Sequence, residues 1–244
     1  MRRFGLVGYP LSHSFSAKYF ANKFRVENIP GCRYDNFEAE TLDGFKNRMN
    51  DIEGIEGLNV TIPYKEKILS LLDDQNDIVE AIQASNCIKI TGNKWVGYNT
   101  DAIAFENSFK VQLEEHHKKA LVLGTGGASK AVGYALKKIG LEALFVSNTK
   151  KGEGIIHYSG IGEEIMNSYT VIINTTPLGT FPNIENYPPL PYQCLTSSHY
   201  LYDLVYNPAK TAFLSIGEGY GAQVCNGYKM LEIQAEESWK IWNS

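Results

Sequence analysis

The segment Ala120-Leu-Val-Leu-Gly124-Thr-Gly126-Gly127-Ala128-Ser129 constrains the fold more than any other part of this chain. A short apolar run ends in closely spaced glycines, and a helical pattern follows in which Ala128, Ala131, Val132, Ala135, Leu136 and Ile139 share one face. A strand that feeds a glycine-rich turn opening a helix is the first step of a parallel α/β sheet. It is also a phosphate site, because glycines allow a tight bend and close backbone approach while the helix start offers unpaired amides to an anion. Gly124, Thr125, Gly126, Gly127, Ala128 and Ser129 are therefore candidate nucleotide-binding residues.

The rest of the chain is organised around this unit. Short apolar runs alternate with helical patterns, which predicts an α/β protein with largely parallel sheets. In the N-terminal half, strands are expected at 4–8, 34–38 and 58–62 and a helix at 15–27. Cys87–Thr91, Gly92-Asn93 and Lys94–Tyr98 spell a β-hairpin, since Gly and Asn tolerate the positive φ of a two-residue turn. A helix over 102–113 then leads to the glycine unit, with further strands at 143–148, 170–174, 200–205 and 222–225. A last helix spans 228–242. The expected domains are 1–101 plus 226–244, and 102–225.

Composition narrows the partners. Against 27 acidic residues stand 23 basic ones, a net charge of −4 with no long basic run, so nucleic acid is not an expected partner. No stretch reaches membrane-spanning length and the first residues lack a signal-peptide core, so a cytoplasmic protein is expected. Cys32, Cys87, Cys194 and Cys225 are too scattered for metal or redox pairing and are read as reduced thiols; no metal is expected.

Candidate chemistry begins at Asn59-Val-Thr-Ile-Pro-Tyr-Lys65. With Pro63 at a helix start and Glu66–Leu72 as an amphipathic helix, Lys65 would lie in the first turn, where the helix dipole disfavours a cation and lowers its proton affinity. A carboxylate such as Asp101 would hold that ammonium and tune it. Ser12, Ser14 and Ser16 stand at a helix start suited to a carboxylate ligand. Asn59, Ser85 and Asn86 lie at strand ends suited to a polyhydroxylated one, and Gln234 lies towards the apolar stripe of the last helix, where an amide needs partners. In the glycine-rich half, the second strand lacks the acid that would bind a nucleotide's ribose and is followed by Asn148, Thr149, Lys150 and Lys151. That favours a 2′-phosphate, hence NADP over NAD, and disfavours an adenosyl-dependent methyltransferase.

Taken in order, Ser-His-Ser-Phe-Ser at 12–16, Asn-Val-Thr-Ile-Pro-Tyr-Lys at 59–65, Ser-Asn at 85–86, Asn-Thr-Asp at 99–101, the glycine turn, Asn-Thr-Thr-Pro-Leu-Gly at 174–179, Tyr-Asp-Leu-Val-Tyr at 202–206 and Asn226–Gln234 resemble the shikimate dehydrogenase family over nearly the whole chain. The resemblance implies a substrate domain and a Rossmann domain, and NADPH-dependent reduction of 3-dehydroshikimate by a monomer or homodimer. It implies that Lys65 and Asp101 are the catalytic pair. Ser14, Ser16 and Tyr206 would hold the substrate carboxylate, and Asn59, Thr61, Asn86, Asp101 and Gln234 its ring oxygens. Thr175, Val205 and Gly227 would line the nicotinamide side. Three departures matter, the first of small effect: Ala17 stands where the family often has proline after the last serine of the first motif. Asn148 stands where the family's usual arginine meets the 2′-phosphate, which keeps an NAD-accepting quinate/shikimate dehydrogenase open unless Lys150 or Lys151 substitutes. Only residues 150–154 separate Thr149 from the apolar Ile155-Ile156, so the crossover helix expected after the second Rossmann strand is nearly absent. A non-catalytic nucleotide-binding regulator is the more distant alternative.

Overall fold

Two apolar faces per sheet follow from the alternation of side chains along each strand. The structure is a computed structural model that describes residues 1–11 and 15–244. The chain divides into two compact units, Met1–Thr100 with Ala235–Ser244, and Asp101–Gln234. The second crossing falls within the last helix.

The first unit contains β1 (Arg2–Gly8), α1 (Phe15–Val26), β2 (Cys32–Glu38), α2 (Phe45–Asn50), β3 (Ile55–Val60), β4 (Asp74–Gln75), α3 (Asp77–Ile82), β5 (Cys87–Thr91) and β6 (Lys94–Tyr98). Its mixed sheet runs β2-β1-β3-β5-β6-β4. β1 pairs in parallel with β2 and β3, and β5 and β6 form the hairpin expected from Gly92-Asn93. Phe4 and Leu6 of β1 join Phe20, Phe24, Tyr34 and Trp242 in one core layer, while Val7, Leu58, Val60, Ile68 and Trp95 form another. Phe4 stacks on Trp242 with ring centroids 4.8 Å apart, and the indole Nε1 donates to the carbonyl of Ile88 at 3.0 Å.

The expected helix after Pro63 is not formed. Lys65 lies in a turn, and only a 3₁₀ segment, Lys67–Leu71, follows, with Ile68 its one buried residue. Short helices in water depend on packing, and one buried anchor with Leu71 and Leu72 only partly covered supports a tight 3₁₀ turn rather than an α-helix. The dipole argument for Lys65 therefore falls away, and its role has to rest on its neighbours.

The second unit contains α4 (Asp101–Phe109), β7 (Lys119–Leu123), α5 (Gly127–Lys138), β8 (Glu142–Val146), β9 (Ile155–Ile156), α6 (Glu163–Ser168), β10 (Val171–Asn174), β11 (Tyr200–Asp203), α7 (Ala212–Gly219), β12 (Gln223–Asn226) and the start of α8 (Tyr228–Trp242). Its all-parallel sheet runs β12-β11-β10-β7-β8-β9. Ala120, Val122, Val171, Ile173, Tyr200 and Tyr202 pack with Phe105, Phe109, Val132, Leu136 and Met230 on one face. Leu121, Leu123, Ile172 and Leu201 pack with Met166, Phe213 and Leu214 on the other.

The shortened crossover is resolved by a two-residue strand. Residues 147–154 turn back on themselves, the amide of Phe145 bonds the carbonyl of Gly154 at 2.9 Å, and that of Ser147 bonds Ile156 at 2.9 Å. Ile155 and Ile156 thus join β8 in parallel register with no helix between. Gly154, at φ 70°, supplies the left-handed step that a side chain would resist. Among the described residues no helix is long and apolar enough to cross a membrane, and the four cysteines are free thiols.

In the first unit, the last turns of α8 are tied to α1 by charge. Lys23 Nζ lies 2.8 Å from Glu236 Oε2 and 2.8 Å from Glu27 Oε1, with the lysine side chain 7% exposed. Burial pushes the Glu236 carboxyl up, but the hydrogen bonds from Lys23 and Tyr19 outweigh it and hold the group below its ordinary value. Its contribution is thus present above the unfolded value and lost as pH falls through the folded one. Glu236→Gln is expected to lower stability by about 1 to 3 kcal/mol at pH 7, below the range of fully buried pairs because the carboxylate side is partly exposed. Urea unfolding should show the difference shrinking as pH drops below the usual glutamate range.

Candidate active site

At the ends of β1 and β3 the chain makes a compact polar layer within the first unit. The amide of Thr61 bonds Val7 at 2.9 Å, that of Tyr9 bonds Ile62 at 3.1 Å, and that of Tyr64 bonds Thr61 at 2.9 Å. The buried Tyr64 hydroxyl donates to the carbonyl of Ala39 at 2.6 Å. The amide of Ser85 donates to the carbonyl of Lys65 at 2.8 Å, which clips the lysine's backbone to the start of the Ser85-Asn86 segment. Lys65 is half-buried there.

Asn59 is 3% exposed and Asn86 is 2% exposed, and both are held rigidly. Asn59 Oδ1 accepts from the Tyr34 hydroxyl at 2.8 Å, and its Nδ2 donates to Ser238 Oγ at 2.8 Å and to the carbonyl of Asn86 at 3.3 Å. Asn86 Oδ1 accepts from the Thr100 amide at 2.7 Å, and its Nδ2 donates to Thr100 Oγ1 at 3.0 Å. Ser16, buried, hydrogen-bonds to Tyr34, whose ring stacks on Phe20 with centroids 4.6 Å apart. Tyr34 and Ser238 are thus members of the site that sequence reasoning missed. Ser238 was readable in part: it lies four positions after Gln234, on the same face of α8. Tyr34 carried no signal, because its partners are distant in the sequence. Ser14 lies outside the described residues.

Asp101 opens α4 and is 5% exposed, an acid in the first turn where the helix field favours it. It is the first residue of the second unit, whereas Lys65 belongs to the first. Gln234, buried, and Tyr206, half-buried with its phenol pushed up by burial, also belong to the second unit.

The glycine turn has the geometry a nucleotide needs. Gly124 sits at φ 115°, and a Cβ there would lie 2.6 Å from Thr175 Oγ1. Gly126 precedes α5 with no side-chain cap, and a Cβ on it would meet nothing within 4 Å, so the space above the first-turn amides is open. Ser129 turns its hydroxyl back to the carbonyl of Gly126 at 2.7 Å. Gly133 lets α5 settle on the sheet, since a Cβ there would come within 2.6 Å of the Phe145 ring. Gly227 likewise has no room for a side chain against the carbonyl of Leu204, and its amide bonds Val205 at 3.2 Å.

Beside the turn lies a cleft of about 200 Å³ lined by Gly124, Thr125, Ser147, Asn148, Tyr158, Thr176, Leu178 and Pro189. Successive chain segments leave β7 to opposite sides, towards β8 and towards β10, and dinucleotides bind at such a switch point. Ser147 Oγ accepts from the amides of Thr149 at 3.2 Å and Lys150 at 3.0 Å, and Lys150 Nζ donates to the carbonyl of Thr125 at 3.0 Å. A cation therefore stands at the edge of the glycine turn, two residues after Asn148. The cradle at Gly124, the open amides and the cleft fit a dinucleotide. Among the described residues no cluster of His, Cys, Asp or Glu could hold a metal.

A Rossmann unit with an open glycine cradle, joined to an α/β unit in which the Lys65 backbone is clipped to the Ser85-Asn86 segment, is the architecture of a two-domain dinucleotide-dependent enzyme. Residues 6–88 match the shikimate dehydrogenase substrate binding domain. The NADP(+) shikimate dehydrogenase of Caldicellulosiruptor saccharolyticus is 36% identical over 99% of this chain and 92% of its own. Shikimate dehydrogenase 1 from Peptoclostridium difficile, a crystal structure, superposes with a TM-score of 0.87 at 36% identity, covering 100% of this chain and 92% of that one. The Thermus thermophilus enzyme in complex with NADP(H) and shikimate superposes with a TM-score of 0.87 at 28% identity, covering 99% and 93%. The chain belongs to the shikimate dehydrogenase family.

Gly124→Ala is expected to cost about 1 to 3 kcal/mol, because it combines a φ that L-residues avoid with a contact inside van der Waals range. Binding of a reduced dinucleotide, followed by nicotinamide fluorescence, should weaken more than thermal stability falls.

Proposed function

We propose that the chain is an NADP-dependent shikimate dehydrogenase, which reversibly reduces the C3 ketone of 3-dehydroshikimate in aromatic amino-acid and chorismate biosynthesis. The observation that carries this reading is the backbone clip between Ser85 and Lys65, which anchors the lysine's backbone at the start of the segment bearing the rigid Asn86, in a chain that also holds the dinucleotide cradle. NADPH, when bound, supplies the hydride.

The chain's residues manage binding and the proton. The forming C3 alkoxide takes a proton from the Lys65 ammonium, and in the reverse direction Lys65 takes it back, so that 3-dehydroshikimate, NADPH and a proton balance shikimate and NADP. Asp101 accepts from a ring hydroxyl. Asn59, with a second lone pair left on Oδ1, Thr61, Asn86 and Gln234 read the ring oxygens, and Ser14, Ser16 and Tyr206 hold the carboxylate. Gly124 to Ser129 cradle the pyrophosphate, Thr175, Val205 and Gly227 line the nicotinamide side, and Asn148, Thr149 and Lys150 meet the adenosine end. Lys150, already drawn to the edge of the turn, stands in for the arginine and favours NADP over NAD.

Lys65→Ala is expected to lower kcat by about 10²- to 10⁴-fold with shikimate affinity nearly kept. Near-normal turnover at saturating substrate, read at the nicotinamide absorbance band, would exclude Lys65 as the proton carrier. Lys150→Ala should weaken NADPH binding by about tenfold while NADH binding stays within twofold, and Lys151→Ala should change neither. Equal losses for both cofactors would remove Lys150 from 2′-phosphate recognition.

A further inference from the structure

Asp203 ends β11 with its side chain completely buried in the second unit. Its carboxylate accepts from three separate segments. Oδ1 takes Asn174 Nδ2 at 2.9 Å and the Val205 amide at 3.0 Å, and Oδ2 takes Thr211 Oγ1 at 2.6 Å.

The network does not stop there. Asn174 Oδ1 accepts from the Thr176 hydroxyl at 2.6 Å and the Thr176 amide at 3.1 Å, while its Nδ2 also reaches the carbonyl of Leu178 at 3.3 Å. Thr176 Oγ1 accepts in turn from the Leu178 amide at 3.3 Å. Thr176 and Leu178 wall the cleft beside the glycine turn. On the other side, the carbonyl of Val205 is bonded by the Gly227 amide at 3.2 Å, and Thr211 caps α7 by accepting from the Leu214 amide at 3.4 Å.

We infer that Asp203 is a positioning residue of the cofactor site, whose carboxylate fixes the loop after β10 and the loop after β11 in the shape that receives the dinucleotide. This rests on the NADP reading above. The chemistry requires a carboxylate at that point. Asn174 Nδ2, the Val205 amide and the Thr211 hydroxyl all donate, and only an acceptor-only group satisfies all of them at once. An amide in the same place brings two hydrogens of its own. With its nitrogen towards Thr211, that hydroxyl must reverse to accept and one amide hydrogen is left without a partner; with its nitrogen towards Asn174, donor faces donor.

The charge is costly to bury at this place. Burial pushes the Asp203 carboxyl up to about 6, against the pull of the bonds from Thr211, Val205 and Asn174. With its folded value raised above the ordinary one, its favourable contribution is present below pH 3.8 and lost as pH rises through about 6. The titratable groups that face it are the phenols of Tyr192 and Tyr202, both pushed up by burial, so neither changes charge in that range. A buried acid that ties the loops after β10 and β11 together beside the cleft is placed to hold the shape of the cofactor site.

The test is Asp203→Asn in the full chain, titrated with NADP⁺ by isothermal titration calorimetry at pH 8 and at pH 5.5, alongside thermal unfolding at pH 8. The expected result is a Kd at pH 8 about fivefold or more above wild type, a variant that still unfolds cooperatively well above the assay temperature, and a variant-to-wild-type Kd ratio that closes towards one at pH 5.5. A Kd within twofold of wild type at pH 8 overturns the inference. So does a variant that fails to fold, or whose Tm falls in step with its affinity, because either outcome makes Asp203 a folding residue. A wild-type chain that binds no NADP⁺ sinks the cofactor reading beneath it, which is a separable result.

Discussion

The parallel pairing of β7 with β10 leaves no room for a side chain at residue 124, and much of the second unit follows from that crowding. Register sets Leu123 opposite Asn174, so the amide and hydroxyl of Thr175 both close on the carbonyl of Leu123, at 3.0 and 2.6 Å. The chain leaving β7 must then bend at a glycine. That bend delivers the first turn of α5 with its amides facing outward, and an outward-facing helix start is what an anion needs. Thr125 lies close enough to the next strand's turn for Lys150 to reach its carbonyl. Fold and candidate cofactor site are thus one constraint, expressed first in backbone sterics and then in electrostatics.

In the first unit the ordering principle is satisfaction of buried polar groups. Asn59, Asn86, Thr100, Ser238 and Tyr34 are all nearly inaccessible, and each of the two asparagine amides is engaged at both ends. An unmade bond in such a place costs about 1 to 3 kcal/mol, so the groups cannot drift independently. The aromatic stack of Phe20 on Tyr34 and of Phe4 on Trp242 supports the layer from the apolar side. A site intended to read hydroxyls on a ring gains discrimination from this rigidity, because an analogue lacking a hydroxyl leaves a fixed partner unpaired.

What could be read from the sequence was what local chemistry decides. The hairpin at Gly92-Asn93, the glycine turn and the helix over 228–242 depend on φ preferences and periodicity within a short window, and they stand where the pattern put them. The helix expected after Pro63 failed because its length was judged by periodicity while its stability depended on packing, and only Ile68 of the segment is fully buried, with Leu71 and Leu72 partly so. The helices at 45–50, 77–82, 163–168 and 212–219 are too short for a period to declare itself. Tyr34 and Asp203 were invisible as site members for a different reason. Their importance lies in bonds to residues far away in sequence or on other loops, and no spacing rule encodes those.

The stretch from 147 to 161 separates what a Rossmann unit needs from what it usually has. A crossover helix ordinarily carries the chain back across the sheet and covers one face, yet here a tight turn on Ser147 and the two-residue β9 carry it. The cover is supplied instead by Ile156, Tyr158 and Ile161, which pack against the layer containing Leu121, Leu123 and Val146. The strand ends that frame the cleft keep their register, since β8 is fixed by β7 and not by whatever lies beyond it. A parallel sheet can therefore lose a helix at its edge and still hold a nucleotide site, provided that the face stays covered and the turn after the second strand keeps its amides and its cation near the glycines. Tyr158 does both kinds of work at once, burying its ring in the core layer and lining the cleft.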